Sequence, residues 1–113
     1  MKPVEWAGDS LDCVRGFDPR VRRAVGQQLG LVQAGKSPAD WKPMPSIGPG
    51  VNEIRVHIGG AYRLVYVAKF AEAVYVLHAF QKKSSKTAKN DVDLARARFR
   101  RLIRDRRTRW LED

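Results

Sequence analysis

Three short runs rich in β-branched and aromatic residues lie between positions 51 and 80, and they constrain the fold more than any other stretch. In the first run, Ile54, Val56 and Ile58 alternate with charged residues, a pattern typical of a strand with one buried face. Gly59-Gly60 then supplies the positive φ angles that a tight hairpin needs. The predicted antiparallel strands are residues 51–58, 61–68 and 74–80.

Two helices are predicted before these strands. Asp9-Ser10 begins a short helix that runs to about Val14, and Asp18-Pro19 begins a longer one, with Asp as N-cap and Pro at the first helical position. Gly35 is expected to end the longer helix as its C′ residue. The apolar stripe of that helix consists of Val21, Val25, Leu29 and Val32. The two helices are therefore expected to form a hairpin that covers one face of the sheet.

The remaining segments complete the expected fold. Residues 3–6 suit a short edge strand, and residues 36–50, with four of the six prolines, predict an ordered surface loop without regular structure, pinned by Trp41, Met44 and Ile47. A basic helix begins at Asn90 or Asp91. We expect an α+β fold in which an N-terminal helical hairpin packs on a small antiparallel sheet of three to four strands, with a basic C-terminal helix. One domain would span residues 1–104, and residues 105–113 would form a basic tail, open to fraying.

Positive charge is concentrated at the C-terminal end. The chain carries a net charge of +10, and residues 82–109 hold twelve Lys/Arg against three Asp. Such a field attracts polyanions, so a nucleic acid or a strongly acidic protein is the expected partner. The basic side chains expected to contact RNA are Lys86, Lys89, Arg96 and Arg100, with Phe80 stacking on a base.

Cys13 is the single cysteine, so it forms no internal disulfide, and it completes no metal-ligand spacing in the sequence. We therefore expect no metal or cofactor, and a reducing, cytoplasmic location. Residues 1–8 are too short and too polar for a signal peptide, and no apolar run has the length of a membrane span.

The strands also carry candidate phosphate-binding groups. Arg55 and His57 are two residues apart on one strand face, and Arg63 on the next strand converges with them if it lies on the same face. At the exit of the last strand come His78, Phe80, Lys82 and Lys83. Guanidinium groups pair bidentately with phosphate oxygens and lysine adds a point charge, so this set is suited to holding a phosphodiester.

Three short sequence motifs indicate a resemblance to a known protein family. These are EIR at 53–55, YRLVYVA at 62–68 and VYVLHAFQKKSSKT at 74–87. In this order, after a helical hairpin, they resemble the phage-derived, HigB-like branch of the RelE/ParE toxin superfamily. The resemblance covers residues 4–104.

This resemblance implies the toxin of a type II toxin–antitoxin system, an endoribonuclease that cuts mRNA on the ribosome. The RNA 2′-OH would attack without a metal, and the implied catalytic residues are Arg55, Arg63, His78, Lys82 and Lys83. In this role Arg55 and Arg63 would bind the scissile phosphate. The general base stays open between His78, which is equally compatible with a core position, and a lysine.

The implied partners are mRNA, the ribosome and a cognate helix-turn-helix antitoxin, HigA-like, with no membrane. Two alternative functions stay open. One is a ParE-like inhibitor of DNA gyrase, and the other is an RNA-binding domain without catalytic activity.

Overall fold

The computed structural model describes the backbone of residues 1–112 and the side chains of residues 1–109. Its elements, in chain order, are β1 Val4–Trp6, α1 Ser10–Arg15, α2 Pro19–Gln33, β2 Trp41–Pro43, β3 Val51–His57, β4 Ala61–Val67, β5 Val74–Lys82 and α3 Lys89–Glu112. The three strands expected from residues 51–80 are therefore present. β3 and β4 are each one residue shorter than predicted, and β5 is two residues longer. Asp113 and the side chains of residues 110–112, part of the expected tail, lie outside the described residues.

Within residues 1–112 the strands form one five-stranded mixed sheet in the order β1-β5-β4-β3-β2. β1 pairs with β5 in parallel, and the other neighbours are antiparallel. The expected antiparallel sheet of three to four strands under a helical hairpin is therefore wrong. β1 and β2 extend the sheet at both edges, and α1 packs mainly on β5 while α2 packs on β3.

Two apolar cores, one on each side of the sheet, hold the layers together. On one side, the predicted stripe of α2 is buried against β3, β4 and β5. On the other side, Ala95 and Phe99 of α3 pack against Val65, Val67 and further residues of the sheet. Both faces of the central strands are therefore buried, which explains why six of the seven residues of β4 and six of the nine residues of β5 are apolar or aromatic.

The proline-rich segment contains a strand that the sequence analysis did not predict. β2 pairs antiparallel with β3, and Trp41 lies opposite Ile54. A proline is compatible with β2 because an edge strand needs hydrogen bonds on one side alone. Trp41 is 42% exposed, so it does not pin the segment, whereas Ile47 is buried and Met44 packs on the α3-side core.

The local signals at the ends of α2 and at the hairpin are confirmed, whereas the Asp9 side chain makes no capping hydrogen bond to α1 and accepts one from Arg98 instead. The side chain of Asp18 accepts a hydrogen bond from the backbone N–H of Arg20 at 2.8 Å, which caps α2. The Arg20 side chain and this backbone bond lower the pKa of Asp18. Gly59 and Gly60 have φ angles of 63° and 156° at the β3–β4 turn, where L side chains would be strained.

Helix α3 continues past residue 104 to Glu112, supported by contacts near its end. The Arg106 guanidinium contacts both carboxylate oxygens of Glu72, at 2.7 and 3.2 Å, and lies 3.6 Å from the centre of the Phe70 ring. Hydrogen bonding from Arg106 lowers the pKa of Glu72 to about 2. An ion pair and a cation–π contact thus hold the last turns of α3 against the β4–β5 connection. A hydrophobic stripe in the sequence does not predict these two contacts.

Among the helices of residues 1–112, none combines the length and the apolar composition that a membrane span requires.

Candidate functional site

Three cross-strand rows of side chains lie on the α3 side of the sheet, near the end that carries the Gly59-Gly60 turn. The rows are His57–Ala61–Lys82, Arg55–Arg63–Phe80 and Glu53–Val65–His78. We call this the three-row surface. Successive rows on one face are two residues apart along each strand, roughly 7 Å. The register therefore places Arg55, Arg63 and Lys82 on one face of the sheet.

A bulge in β5 positions His78 on this surface. Val65 pairs with His78 whereas the next residue of β4, Tyr66, pairs with Val76, so Leu77 is an extra residue without a partner in the ladder. Leu77 and the partner of His78, Val65, both belong to the α3-side core. The extra residue shifts the alternation of β5, and this shift turns His78 toward the α3 side.

Arg55 is the more accessible arginine of the three-row surface. Its side chain is 34% exposed, and its Nε and Nη2 atoms each lie 2.9 Å from Oδ1 of Asp40. The backbone N–H of Arg55 also donates to the carbonyl oxygen of Asp40 at 2.9 Å, which fixes the two residues side by side. His57 Nε2 lies 3.8 Å from the other oxygen of the same carboxylate.

Arg63 lies opposite Arg55 but is buried. The side chains of Arg63 and Glu53 are each 6% exposed, and Nε of Arg63 lies 3.6 Å from Oε1 of Glu53. Arg63 Nη1 donates to the carbonyl oxygen of Tyr62 at 3.1 Å. Arg63 Nε and Glu53 Oε2 have no hydrogen-bond partner among the described residues. A buried ion pair with unsatisfied atoms is costly, and such groups mark sites where another ligand would complete the bonding.

His78 is also buried, at 5% exposure. Its Nε2 atom lies 2.8 Å from Oδ1 of Asp91, in the first turn of α3, and its ring stacks on Phe80 with 5.2 Å between centroids. Its Nδ1 atom has no hydrogen-bond partner in the described part of the chain. Phe80 is buried as well. Because its ring packs on His78, it is not accessible for stacking on a base in this conformation.

The remaining predicted site residues follow the sheet. Lys83 and Lys86 are exposed in the connection between β5 and α3, and Lys89 begins α3, 3.9 Å from Asp93. Arg96 donates through Nε and Nη2 to the carbonyl oxygen of Ser46, at 3.1 and 2.8 Å, so it anchors the proline-rich segment to α3. Arg100 is exposed on α3. These residues form a basic region that begins where β5 ends, directly after Lys82 of the three-row surface.

Sequence reasoning missed the carboxylates that pair with the predicted cations: Asp40, Glu53 and Asp91. Glu53 could have been found, because it alternates with Arg55 on the same predicted strand and must share its face. Asp40 and Asp91 lie before β2 and at the start of α3, and no local pattern places them beside Arg55 and His78.

No curated protein matches the chain. A family model described as phage-derived protein Gp49-like (DUF891) matches residues 12–100, which include β2 to β5 and the first half of α3. The match therefore contains every residue of the three-row surface. On this basis the chain belongs to the phage-derived Gp49-like family (DUF891).

Proposed function

We propose that this protein is a RelE-like toxin of a type II toxin–antitoxin system that cuts mRNA on the ribosome. The observation that supports this best is the direct pairing of Arg55 with Arg63 on a sheet face that also carries Lys82. Two guanidinium groups and an ammonium group on one face suit a phosphodiester that gains charge during cleavage. The Gp49-like family is associated with RelE-like toxins, and the finer HigB-like assignment is part of the proposal.

In the proposed reaction, the ribose 2′-oxygen attacks the adjacent phosphorus and the 5′-oxygen of the next nucleotide leaves. The products are a 2′,3′-cyclic phosphate and a 5′-hydroxyl end. Arg55 would bind the scissile phosphate, because it is the accessible arginine and its planar fork already holds an anionic oxygen, that of Asp40. RNA binding would exchange the Asp40 carboxylate for a phosphate.

Arg63 would contribute mainly through its charge. Its guanidinium is buried beside Arg55 in the middle row, where Coulomb interactions are stronger than in water. Lys82, at the end of β5 in the neighbouring row, would stabilise charge on the leaving 5′-oxygen, which then takes a proton from solvent water. Lys83 follows it directly and is exposed, so it would hold the substrate backbone.

Glu53 is the group that we propose as proton acceptor for the 2′-OH. One carboxylate oxygen has no hydrogen-bond partner, and the residue is one row from Arg55. His78 is a weaker candidate, because Nε2 already contacts Asp91 and the ring is packed against Phe80. The proposed role for Glu53 requires the Glu53–Arg63 pair to open when RNA binds.

The test is brief induction in cells followed by mapping of RNA 5′ ends. Parent protein should give codon-phased breaks inside reading frames, and Arg55→Ala should reduce them by about 100- to 1,000-fold. Arg23→Ala is the matched control, because it removes the same charge from the exposed side of α2, which packs on the other face of the sheet. Equal cleavage by the Arg55→Ala and Arg23→Ala variants would exclude the proposed site.

The burial of Arg63 and Glu53 favours one second candidate, a basic RNA-binding domain without cleavage activity. For that function, induced cells would keep intact mRNA while the protein still bound RNA in a salt-dependent way. A gyrase inhibitor would instead change DNA supercoiling after induction.

The proposed toxin also requires an antitoxin. A helix-turn-helix protein encoded next to this chain is the proposed partner, in line with the family resemblance. Purification of the tagged chain from its native operon should recover that protein, and recovery of the chain alone would count against a type II system.

A further inference from the structure

Asp9, Cys13 and His78 meet where α1 packs on β5. Asp9 and Cys13 are one helical turn apart, and the backbone N–H of Cys13 donates to the Asp9 carbonyl at 2.9 Å, so their side chains share a face. One potential ligand atom from each of the three residues lies within 4.8 Å of the other two. Neighbouring ligands of a tetrahedral metal ion have a similar spacing, roughly 3 to 4 Å for metal bonds of 2.0 to 2.3 Å.

His78 provides a second, independent indication. The residue is 5% exposed, and its Nδ1 atom is buried without a hydrogen-bond partner in the described part of the chain. Its Nε2 atom is held by Asp91 at 2.8 Å, so Nδ1 is the nitrogen left to bind a ligand. A carboxylate that holds one imidazole nitrogen while the other binds metal is the usual arrangement around metal-ligating histidines.

We propose that Asp9, Cys13 and His78 form a zinc-binding site, with Asp9 Oδ2, Cys13 Sγ and His78 Nδ1 as ligands. A thiolate, an imidazole and a carboxylate together favour Zn²⁺ over Mg²⁺ or Ca²⁺, which prefer oxygen ligands alone. Water would take the fourth position. On binding, the S–H bond of Cys13 is replaced by an S–Zn bond and the proton leaves to solvent.

The charges around the site are compatible with a divalent cation. Arg98 Nη2 lies 2.6 Å from Oδ1 of Asp9, and its Nη1 donates to the Leu77 carbonyl at 2.9 Å, so Arg98 orients the carboxylate and leaves Oδ2 for the metal. The Asp9 and Asp91 carboxylates carry negative charge in the resting site, and Cys13 adds a third negative group when it binds metal as a thiolate, so these groups outweigh the single Arg98 charge. Without metal, burial and the Asp9 carboxylate raise the pKa of the Cys13 thiol, so a neutral thiol is the resting form.

The sequence expectation of no metal rested on Cys13 having no ligand spacing. The imidazole comes from a strand that is distant from Cys13 along the chain, and the β5 bulge positions it, so ligand spacing in the sequence does not reveal it. The proposed site shares His78 with the three-row surface, but it does not rest on the proposed nuclease reaction, in which Glu53 and not His78 is the proton acceptor.

The first test uses the unmodified full chain and its single cysteine. Zn²⁺ at about one equivalent should slow alkylation of Cys13 by iodoacetamide roughly tenfold or more, because the metal-bound thiolate is shielded. Co²⁺ should give a thiolate-to-metal charge-transfer band in the near ultraviolet. An alkylation rate unaffected by Zn²⁺ would overturn the proposal without any substitution that could disturb folding.

The second test measures Zn²⁺ affinity by calorimetry. Cys13→Ser, Asp9→Asn and His78→Gln should each weaken binding by about 10- to 100-fold. The matched control is His57→Gln, which removes the other histidine of the chain from the exposed Asp40 cluster and should leave affinity unchanged. Binding that survives Cys13→Ser and disappears in His57→Gln would place the metal elsewhere.

Discussion

Arg55 and Arg63 are direct cross-strand partners, and each guanidinium is paired with a different carboxylate, Asp40 at the surface and Glu53 in the interior. Like charges directly opposite one another on a sheet are destabilising, so the two carboxylates offset a repulsion that the pairing creates. The two ion pairs differ in burial. We therefore expect the buried Glu53–Arg63 pair to affect mainly stability and the partly exposed Asp40–Arg55 pair to affect mainly RNA cleavage.

The buried pair should dominate stability. Arg63→Ala leaves the Glu53 charge uncompensated in the interior, and we expect it to lower the free energy of unfolding by about 3 to 5 kcal/mol. Arg55→Ala removes a partly exposed pair and should cost about 1 kcal/mol or less. Urea unfolding followed by circular dichroism measures both values.

A double substitution serves as the control for this comparison. Arg63→Met combined with Glu53→Gln removes both charges and should recover much of the loss seen for Arg63→Ala alone. If Arg63→Ala proves no more destabilising than Arg55→Ala, the Glu53–Arg63 pair is not the buried, coupled unit seen in the structure.

The sequence predicted the parts of the fold that depend on local chemistry. Gly59-Gly60 was enough to predict the β3–β4 hairpin. The predicted two-residue turn was wrong by one residue, because residues 58–60 connect the strands and this connection places Arg55 opposite Arg63. The mixed sheet depends instead on long-range pairing, β1 with β5 and β2 with β3, and three-residue strands carry too little periodicity to reveal it.

The same limit applies to the site. Strand alternation placed Arg55 on the charged face of its strand but left the face of Arg63 open. It also could not show that Arg63 is buried, because burial depends on how α3 and the connections cover the sheet. The β5 bulge is invisible in the sequence as well, and it determines where His78 points.

The contact between Glu72 and Arg106 should make stability pH-dependent. Arg106 lowers the folded-state pKa of Glu72 from 4.5 to about 2. Because the folded pKa is depressed, the contribution of this pair is fully present above about pH 4.5 and is lost as the pH falls toward 2. We expect about 1 kcal/mol, reduced by partial exposure and screening.

Urea unfolding of the parent and of Glu72→Gln between neutral pH and about pH 2 measures this contribution. The difference in the free energy of unfolding between the two proteins should be largest at neutral pH and should vanish near pH 2. Asp9 and Asp18 also have lowered pKa values, but both proteins contain them, so the difference reports on Glu72 alone. A difference that stays constant across this range would show that Glu72 acts through packing and not through its charge.

Gly48 and Gly26 provide a test of packing between α3 and the proline-rich segment. A Cβ atom on Gly48 would clash with the buried Phe99 ring, whereas one on Gly26 would meet nothing within 4 Å. Gly48→Ala should therefore cost about 1 to 3 kcal/mol through overpacking. Gly26→Ala, in the middle of α2, should add roughly 0.5 to 1 kcal/mol through helix propensity.

Thermal or urea unfolding of the two alanine variants measures the change in the free energy of unfolding. The two changes should have opposite signs if Phe99 packs against Gly48 as described. The same chemical change is made in both, so a general effect of alanine is excluded. A neutral or stabilising Gly48→Ala would mean that the first turns of α3 are not held against this segment.

The exposed lysines after β5 should control the salt dependence of RNA binding. Lys83, Lys86 and Lys89 are exposed, and each lysine that neutralises a phosphate of single-stranded RNA adds about 0.7 to the slope of log affinity against log salt. Replacing all three by Gln should therefore reduce the slope by about 2.

The matched control replaces Arg22, Arg23 and Lys36 by Gln, which removes the same charge from α2 and the residues after it, on the other side of the sheet. Fluorescence anisotropy with a short RNA across a salt series gives both slopes. Equal slopes for the two triple variants would mean that RNA responds to net charge alone, and the basic region after β5 would then have no specific role in binding.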